Sequence, residues 1–171
     1  MGMEMTSWYD IKTLNRPVTM TRQEAEDNYN QDEIQESVQI VTDLINIEVD
    51  KLGETNSVFV GGFSQGCAIS LATFLLYQRG QLGGVVGLSG GHCTRIDWDK
   101  QVDVDLKRKT KMFLYHGEAD PMITADFAEK SYEIFDEKKL DFTFEKEPRL
   151  EHSLSLTEIG KLSKFFHSLM L

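Results

Sequence analysis

The sequence predicts an α/β fold in which a mostly parallel sheet is covered by helices on both faces. Three observations predict it. Apolar periodicity switches repeatedly between helical and strand-like along the 171 residues. The strand-like stretches are continuous apolar runs rather than alternating ones, as in strands buried on both faces. No repeat, low-complexity tract or Pro/Ser-rich linker divides the chain, so a single domain over residues 1–171 is expected.

The elements follow in order. Residues 1–30 read as irregular and polar, with Trp8, Tyr9 and Ile11 as an early apolar patch. Ile34, Val38, Val41, Ile45, Val49 and Leu52 recur at spacings of three and four, which predicts a long amphipathic helix ended by Gly53. Val58-Phe59-Val60 reads as a strand that gives way to Gly61-Gly62. A second helical stripe, Ala68, Leu71, Ala72, Leu75 and Leu76, closes near Arg79-Gly80. Val85 to Leu88 is the next strand, and Ser89 to about Lys111 reads as a loop. Met112 to Tyr115 is a third strand, Thr124 to Lys138 a third helix, and Phe142 to Phe144 a fourth strand. The last helix opens on a capping box, Ser155-Leu156-Thr157-Glu158.

Composition excludes several function classes. With 28 acidic and 18 basic residues the formal net charge is −10, and Lys107-Arg108-Lys109 is the longest basic run, so binding to phosphate backbones is disfavoured. Two cysteines, Cys67 and Cys93, make neither a disulfide framework nor a C-x-x-C pair, which points to a reducing, cytoplasmic setting. Ala68 to Tyr77 is far shorter than the roughly 20 apolar residues of a membrane span. The first twenty residues lack the pattern of a secretory signal. Met1 to Thr6 fits the permissive myristoylation pattern.

Gly62-Phe63-Ser64-Gln65-Gly66 fits G-x-S-x-G, in which a serine is forced onto a tight strand-to-helix turn between small residues. Gly87-Leu88-Ser89-Gly90-Gly91 fits the same pattern. Context separates the two: Ser64 follows a strand and leads into an apolar helix, whereas Ser89 leads into a charged, non-periodic loop. A serine needs a base, and the base needs an acid to orient it. Of the four histidines, His92 falls in that loop, His116 closes the third strand, and His167 sits inside the last helix. His152 lies on the loop after the fourth strand, at a carboxyl end of the sheet where chemistry gathers in open α/β folds. Asp120, after the third strand, is the matching acid, and the order Ser64, Asp120, His152 is that of α/β-hydrolases. Cys67 reads as packed core, and His92, Cys93 and Asp97 match no standard metal spacing.

These residues resemble a known family. Gly61 to Gly66, Val85 to Gly90, His116-Gly117-Glu118-Ala119-Asp120-Pro121-Met122 and Glu151-His152-Ser153 together resemble the acyl-protein thioesterases of the phospholipase/carboxylesterase branch of serine hydrolases. Ser7-Trp8-Tyr9-Asp10-Ile11 resembles that family's aromatic segment before the long helix. The resemblance implies an α/β-hydrolase fold, a triad of Ser64, Asp120 and His152, and a backbone N–H of Gln65 as oxyanion donor. It implies fatty acyl thioesters or esters as substrates, with S-acylated proteins, lysophospholipids and small esters among them. Neither a metal nor an organic cofactor is implied. Trp8 and Met122 are candidate walls for the acyl chain, with ordinary core packing as the other reading of each. Transient contact with a membrane surface and self-association are compatible with this function.

The family's second oxyanion donor comes from a loop after an earlier strand and resembles a His-Gly-x-Gly-Asp segment, which this sequence does not contain. The expectation is therefore a partial α/β-hydrolase domain whose strand at Val58 to Val60 becomes a sheet edge open to another chain. A catalytically impaired fragment, or an acyl-binding module, is the alternative reading.

Overall fold

A computed structural model of the chain describes residues 6–13 and 21–170. Met1 to Met5 of the myristoylation match lie outside them. The segment expected to be irregular contains a helix, α1 (Arg22–Asn28). Thr21 and Glu24 form a reciprocal capping box there, so capping rather than an apolar stripe starts it.

Helix α2 (Gln31–Leu52) starts at Asn30, whose side chain accepts from Glu33 N–H, and ends at Gly53, which takes the left-handed φ of 83°. Ile34, Val38, Ile45 and Val49 are buried as expected, but Leu52, the last residue of the helix, is 55% exposed. Ile40, Leu44 and Ile47 make a second, solvent-facing apolar stripe that the periodicity did not single out.

Four parallel strands follow: β1 (Phe59–Phe63), β2 (Gly84–Leu88), β3 (Met112–Gly117) and β4 (Phe142–Glu147). They lie side by side in chain order, so β1 is an edge of the described sheet. Each of β1, β3 and β4 runs two or three residues past its expected end. In β1 the reason is that Gly61 and Gly62 are strand residues selected by close approach. A Cβ on Gly61 would lie 2.9 Å from Val86 Cβ, and one on Gly62 would lie 2.2 Å from the Gly66 backbone.

Helix α3 (Gln65–Leu76) is buried on nearly every side between the sheet and α2, so its apolar residues exceed a single stripe. It stops at Leu76 rather than near Gly80, because Tyr77 turns extended and sends its ring into the core. The loop from Ser89 holds two short helices, α4 (Trp98–Gln101) and α5 (Val104–Lys107). Helix α6 (Ala125–Glu137) packs against β3 and β4. Helix α7 (Leu156–Leu169) opens on the expected capping box at Ser155 and Glu158.

Side chains alternate across the sheet. Val85, Met112 and Leu114 join the core with α2, α3 and α6. Val86, Leu88, Phe113 and Tyr115 face Phe165 and Phe166 of α7 on the opposite side. Helices thus cover both faces. Among the described residues no helix is long and apolar enough to cross a membrane.

Lys107 is buried at the far end of α3, where its ammonium donates to the Tyr77 carbonyl and lies 5.3 Å from the centre of the Phe74 ring. Burial lowers it to about 8, while an unfolded chain keeps lysine at the ordinary value of 10.5. Between those values the unfolded state binds more protons, so this group makes stability rise with pH. Urea melts from pH 8 to 10.5 should show wild type gaining up to about 3 kcal/mol relative to Lys107→Met. A difference that does not change with pH would contradict this account.

Candidate active site

Ser64 sits where β1 becomes α3, with φ 57° and ψ −120°. A side chain in that backbone conformation is strained, and the surroundings hold it. Ser64 N–H donates to Leu88 O at 2.9 Å, and Cys67 N–H returns to Ser64 O at 3.0 Å. The Gly62 approach described above lets strand and helix backbones pass at this turn. The result is a serine projecting from the carboxyl end of the sheet at the N-terminus of α3, where free N–H groups favour negative charge.

His152 Nε2 lies 3.0 Å from Ser64 Oγ, and His152 Nδ1 lies 2.7 Å from Asp120 Oδ2. The His152 ring also packs on Phe63, with centroids 4.8 Å apart. Asp120 comes from the loop after β3 and its carboxylate is fully buried. Oδ1 accepts from the N–H groups of Met122 at 2.8 Å and Ile123 at 2.9 Å. The sequence-predicted serine, acid and histidine are therefore brought together in hydrogen-bond order.

Two backbone bonds bind the Asp120 and His152 loops into one unit. Glu118 N–H donates to Glu147 O at 2.9 Å, and Ala119 N–H donates to Leu150 O at 3.0 Å. Gly117 permits this approach, because a Cβ there would sit 2.1 Å from Leu150 O. Glu147 anchors the start of the His152 loop by accepting from Tyr115 Oη at 2.8 Å and Ser155 Oγ at 2.6 Å. Those bonds, Ser155 first, hold the Glu147 carboxyl below its ordinary value. Burial, followed by the bond to Glu147, pushes the Tyr115 hydroxyl up to about 12.

Gln65 has a structural role that spacing did not reveal. Its backbone N–H has no acceptor among the described residues. Its side chain clamps the N-terminal segment by accepting from Trp8 N–H at 3.1 Å and donating to Tyr9 O at 3.0 Å. Ser37 Oγ of α2 donates to Trp8 O at 2.6 Å, so both backbone groups of Trp8 are held. The Trp8 indole nitrogen lies 3.7 Å from where a Cβ on Gly66 would be, next to the elbow. Trp8 is 42% exposed and Met122 58%, more open than core packing would leave them.

Ser89, the second motif match, shares the positive φ at 47° but is fully buried, and its Oγ has no partner among the described residues. Cys67 is packed core: burial raises its thiol to about 12. His92 lies in the loop after Ser89, as expected, and is buried there, its ring 5.4 Å from that of Phe135. Among the described residues no group of His, Cys, Asp and Glu is arranged to hold a metal ion.

A family profile described as Phospholipase/Carboxylesterase matches residues 1–170. The chain belongs to the phospholipase/carboxylesterase family. It is 39% identical over 163 residues to acyl-protein thioesterase 1 of Yarrowia lipolytica, an alignment covering 94% of this chain and 67% of that protein. Identity to acyl-protein thioesterase 1 of Emericella nidulans is 36% over 169 residues, covering 96% and 68%. The chain thus spans about two thirds of the length of these curated relatives. Arabidopsis thaliana SOBER1 is similar in structure, with a TM-score of 0.82 and 26% identity, covering 96% of this chain and 74% of that one. Zea mays acyl-protein thioesterase 2, at 17% identity and a TM-score of 0.72 over 96% and 73% of the two chains, shares the fold. Family membership makes the chain a hydrolase of the serine esterase type with an α/β-hydrolase fold.

Proposed function

We propose that this family member hydrolyses fatty acyl thioesters or esters through an acyl-enzyme on Ser64, with His152 as base and Asp120 as the acid that orients it. The observation that carries this reading is the unbroken series Ser64 Oγ to His152 Nε2 at 3.0 Å and His152 Nδ1 to Asp120 Oδ2 at 2.7 Å. Asp120 accepts the Nδ1 hydrogen, which leaves the Nε2 lone pair facing the serine hydroxyl. His152 takes that proton as Ser64 Oγ attacks the acyl carbonyl. The tetrahedral oxyanion is met by the free N–H of Gln65. Collapse breaks the acyl bond, and the departing thiolate or alkoxide takes the proton from His152. Water then attacks the acyl-enzyme with His152 again as base, releasing the fatty acid and restoring Ser64.

Trp8 and Met122, half open beside the elbow and the acid loop, are assigned as walls for the acyl chain. The names of the thioesterase relatives support S-acylated proteins as substrates, and the family description supports small acyl esters. The net charge of −10 supports a partner other than nucleic acid. Cys67 and Cys93, both buried and in no disulfide among the described residues, suit a reducing cytoplasmic setting.

A fluorophosphonate probe tests this reading. The expected result is a single covalent adduct whose peptide maps to Ser64; an adduct on any other serine would overturn it. Correctly folded protein that takes no adduct yet binds an acyl ligand would favour an acyl-binding module instead.

A further inference from the structure

The acid of the triad faces a second histidine. His116, near the end of β3, is fully buried, with its Nε2 at 2.8 Å from Ile123 O and 3.3 Å from Asp120 Oδ2. A carbonyl oxygen only accepts, so Nε2 carries a hydrogen and shares it between that carbonyl and the carboxylate. Nδ1 is also buried and has no hydrogen-bond partner among the described residues. A proton there would be an unsatisfied buried charge, and burial lowers the ring below the ordinary histidine value. The contact with Asp120 is therefore a neutral N–H donating to a carboxylate rather than an ion pair.

Both oxygens of Asp120 are then occupied on two sides. Oδ1 takes two backbone N–H groups, and Oδ2 takes His152 Nδ1 at 2.7 Å with His116 Nε2 at 3.3 Å. The same Ile123 whose N–H holds Oδ1 has its carbonyl held by His116. His116 thus closes a ring of bonds around the turn that carries the acid.

We infer that His116 is a positioning residue, a second histidine that locks the Asp120 carboxylate toward His152 and tempers its pull on the His152 proton. The inference rests on the reading of Ser64, His152 and Asp120 as the triad. Its chemical content is a competition for one oxygen. The charged and titratable groups acting on His116 are Asp120 and His152. Each N–H that Asp120 Oδ2 accepts reduces what it offers the other. Removing the His116 donor leaves the Asp120 carboxylate a stronger acceptor for the His152 Nδ1–H. It also frees the carboxylate to rotate.

The test measures fluorophosphonate labelling rate against pH, from about 5 to 9, for the whole chain as wild type, His116→Phe and His116→Gln. His116→Phe should label about 10- to 100-fold more slowly, with the acid limb of its rate profile displaced upward. His116→Gln retains an amide N–H and should recover part of both. A slower rate with an unmoved acid limb would reduce His116 to packing and overturn the inference. Should His116→Phe fail to fold, nitrogen-15 histidine spectra of wild type decide: a neutral Nε2–H ring at His116 supports the inference, and an Nδ1–H ring overturns it. An adduct mapped away from Ser64 overturns both this inference and the triad reading. An adduct on Ser64 with an unmoved limb overturns this inference alone.

Discussion

Ser64→Ala is expected to lower ester turnover about 10⁶-fold and to abolish fluorophosphonate labelling, because members of a serine-histidine-acid set act as one unit. Ser89→Ala should leave both intact. The two serines share a motif, a preceding parallel strand and a positive φ, yet differ in what surrounds the hydroxyl. Ser64 Oγ meets His152 at 3.0 Å, whereas Ser89 Oγ is buried with no partner among the described residues. Removing a buried hydroxyl that bonds to nothing costs little, so Ser89→Ala should melt within about 1 kcal/mol of wild type. Turnover and thermal melting of the two variants check the pair. Retained turnover in Ser64→Ala would end the proposed mechanism.

Gly117→Ala carries the second large effect. The new Cβ would lie 2.1 Å from Leu150 O, 2.7 Å from its carbonyl carbon and 2.8 Å from Glu151 O. All three are backbone atoms, so relief requires the chain just before His152 to move by roughly 1 Å. A misplacement of that size costs about 10²-fold in rate. It also pulls apart the bond from Ala119 N–H to Leu150 O, which joins the acid and base loops. We expect turnover down by about 10²-fold or more and stability down by about 2 kcal/mol, read from kinetics and urea melts. Near-normal turnover would show that the two loops adjust independently.

Much of this arrangement was legible in the sequence, for reasons that differ by element. Ser64 was recognisable because its neighbours must be small and its context must be strand then helix. Asp120 and His152 were recognisable because parallel strands bring successive carboxyl ends to one rim. Gly53 and Ser155 announced a helix end and a helix start through conformation and capping. What the sequence hid depends on contacts between distant residues. Gln65 looks like a filler inside the motif, yet its side chain spans 57 positions to Trp8. His116 reads as the last residue of a strand, and only the turn back through Ile123 sets it beside Asp120. Helix α1 offers capping without a stripe of apolar residues, and α4 and α5 are single turns, so periodicity had nothing to detect. The end of α3 was misplaced because Tyr77 leaves the helix for the core, a choice made by packing and by the reach of Lys107.

The position of Cys67 has a chemical corollary. It follows Ser64 by three residues, and its sulfur fills a notch beside β2, where a Cβ on Gly87 would lie 2.8 Å away. In a chain that handles activated acyl groups, a neighbouring thiolate would be a rival acceptor, capturing the acyl group in a new thioester. With the thiol raised to about 12 by burial, essentially no thiolate forms near neutral pH. If Ser64 is the nucleophile proposed above, the chain separates two kinds of electrophile: reagents that seek an activated hydroxyl find Ser64, and reagents that seek sulfur are turned away at the same turn of the backbone.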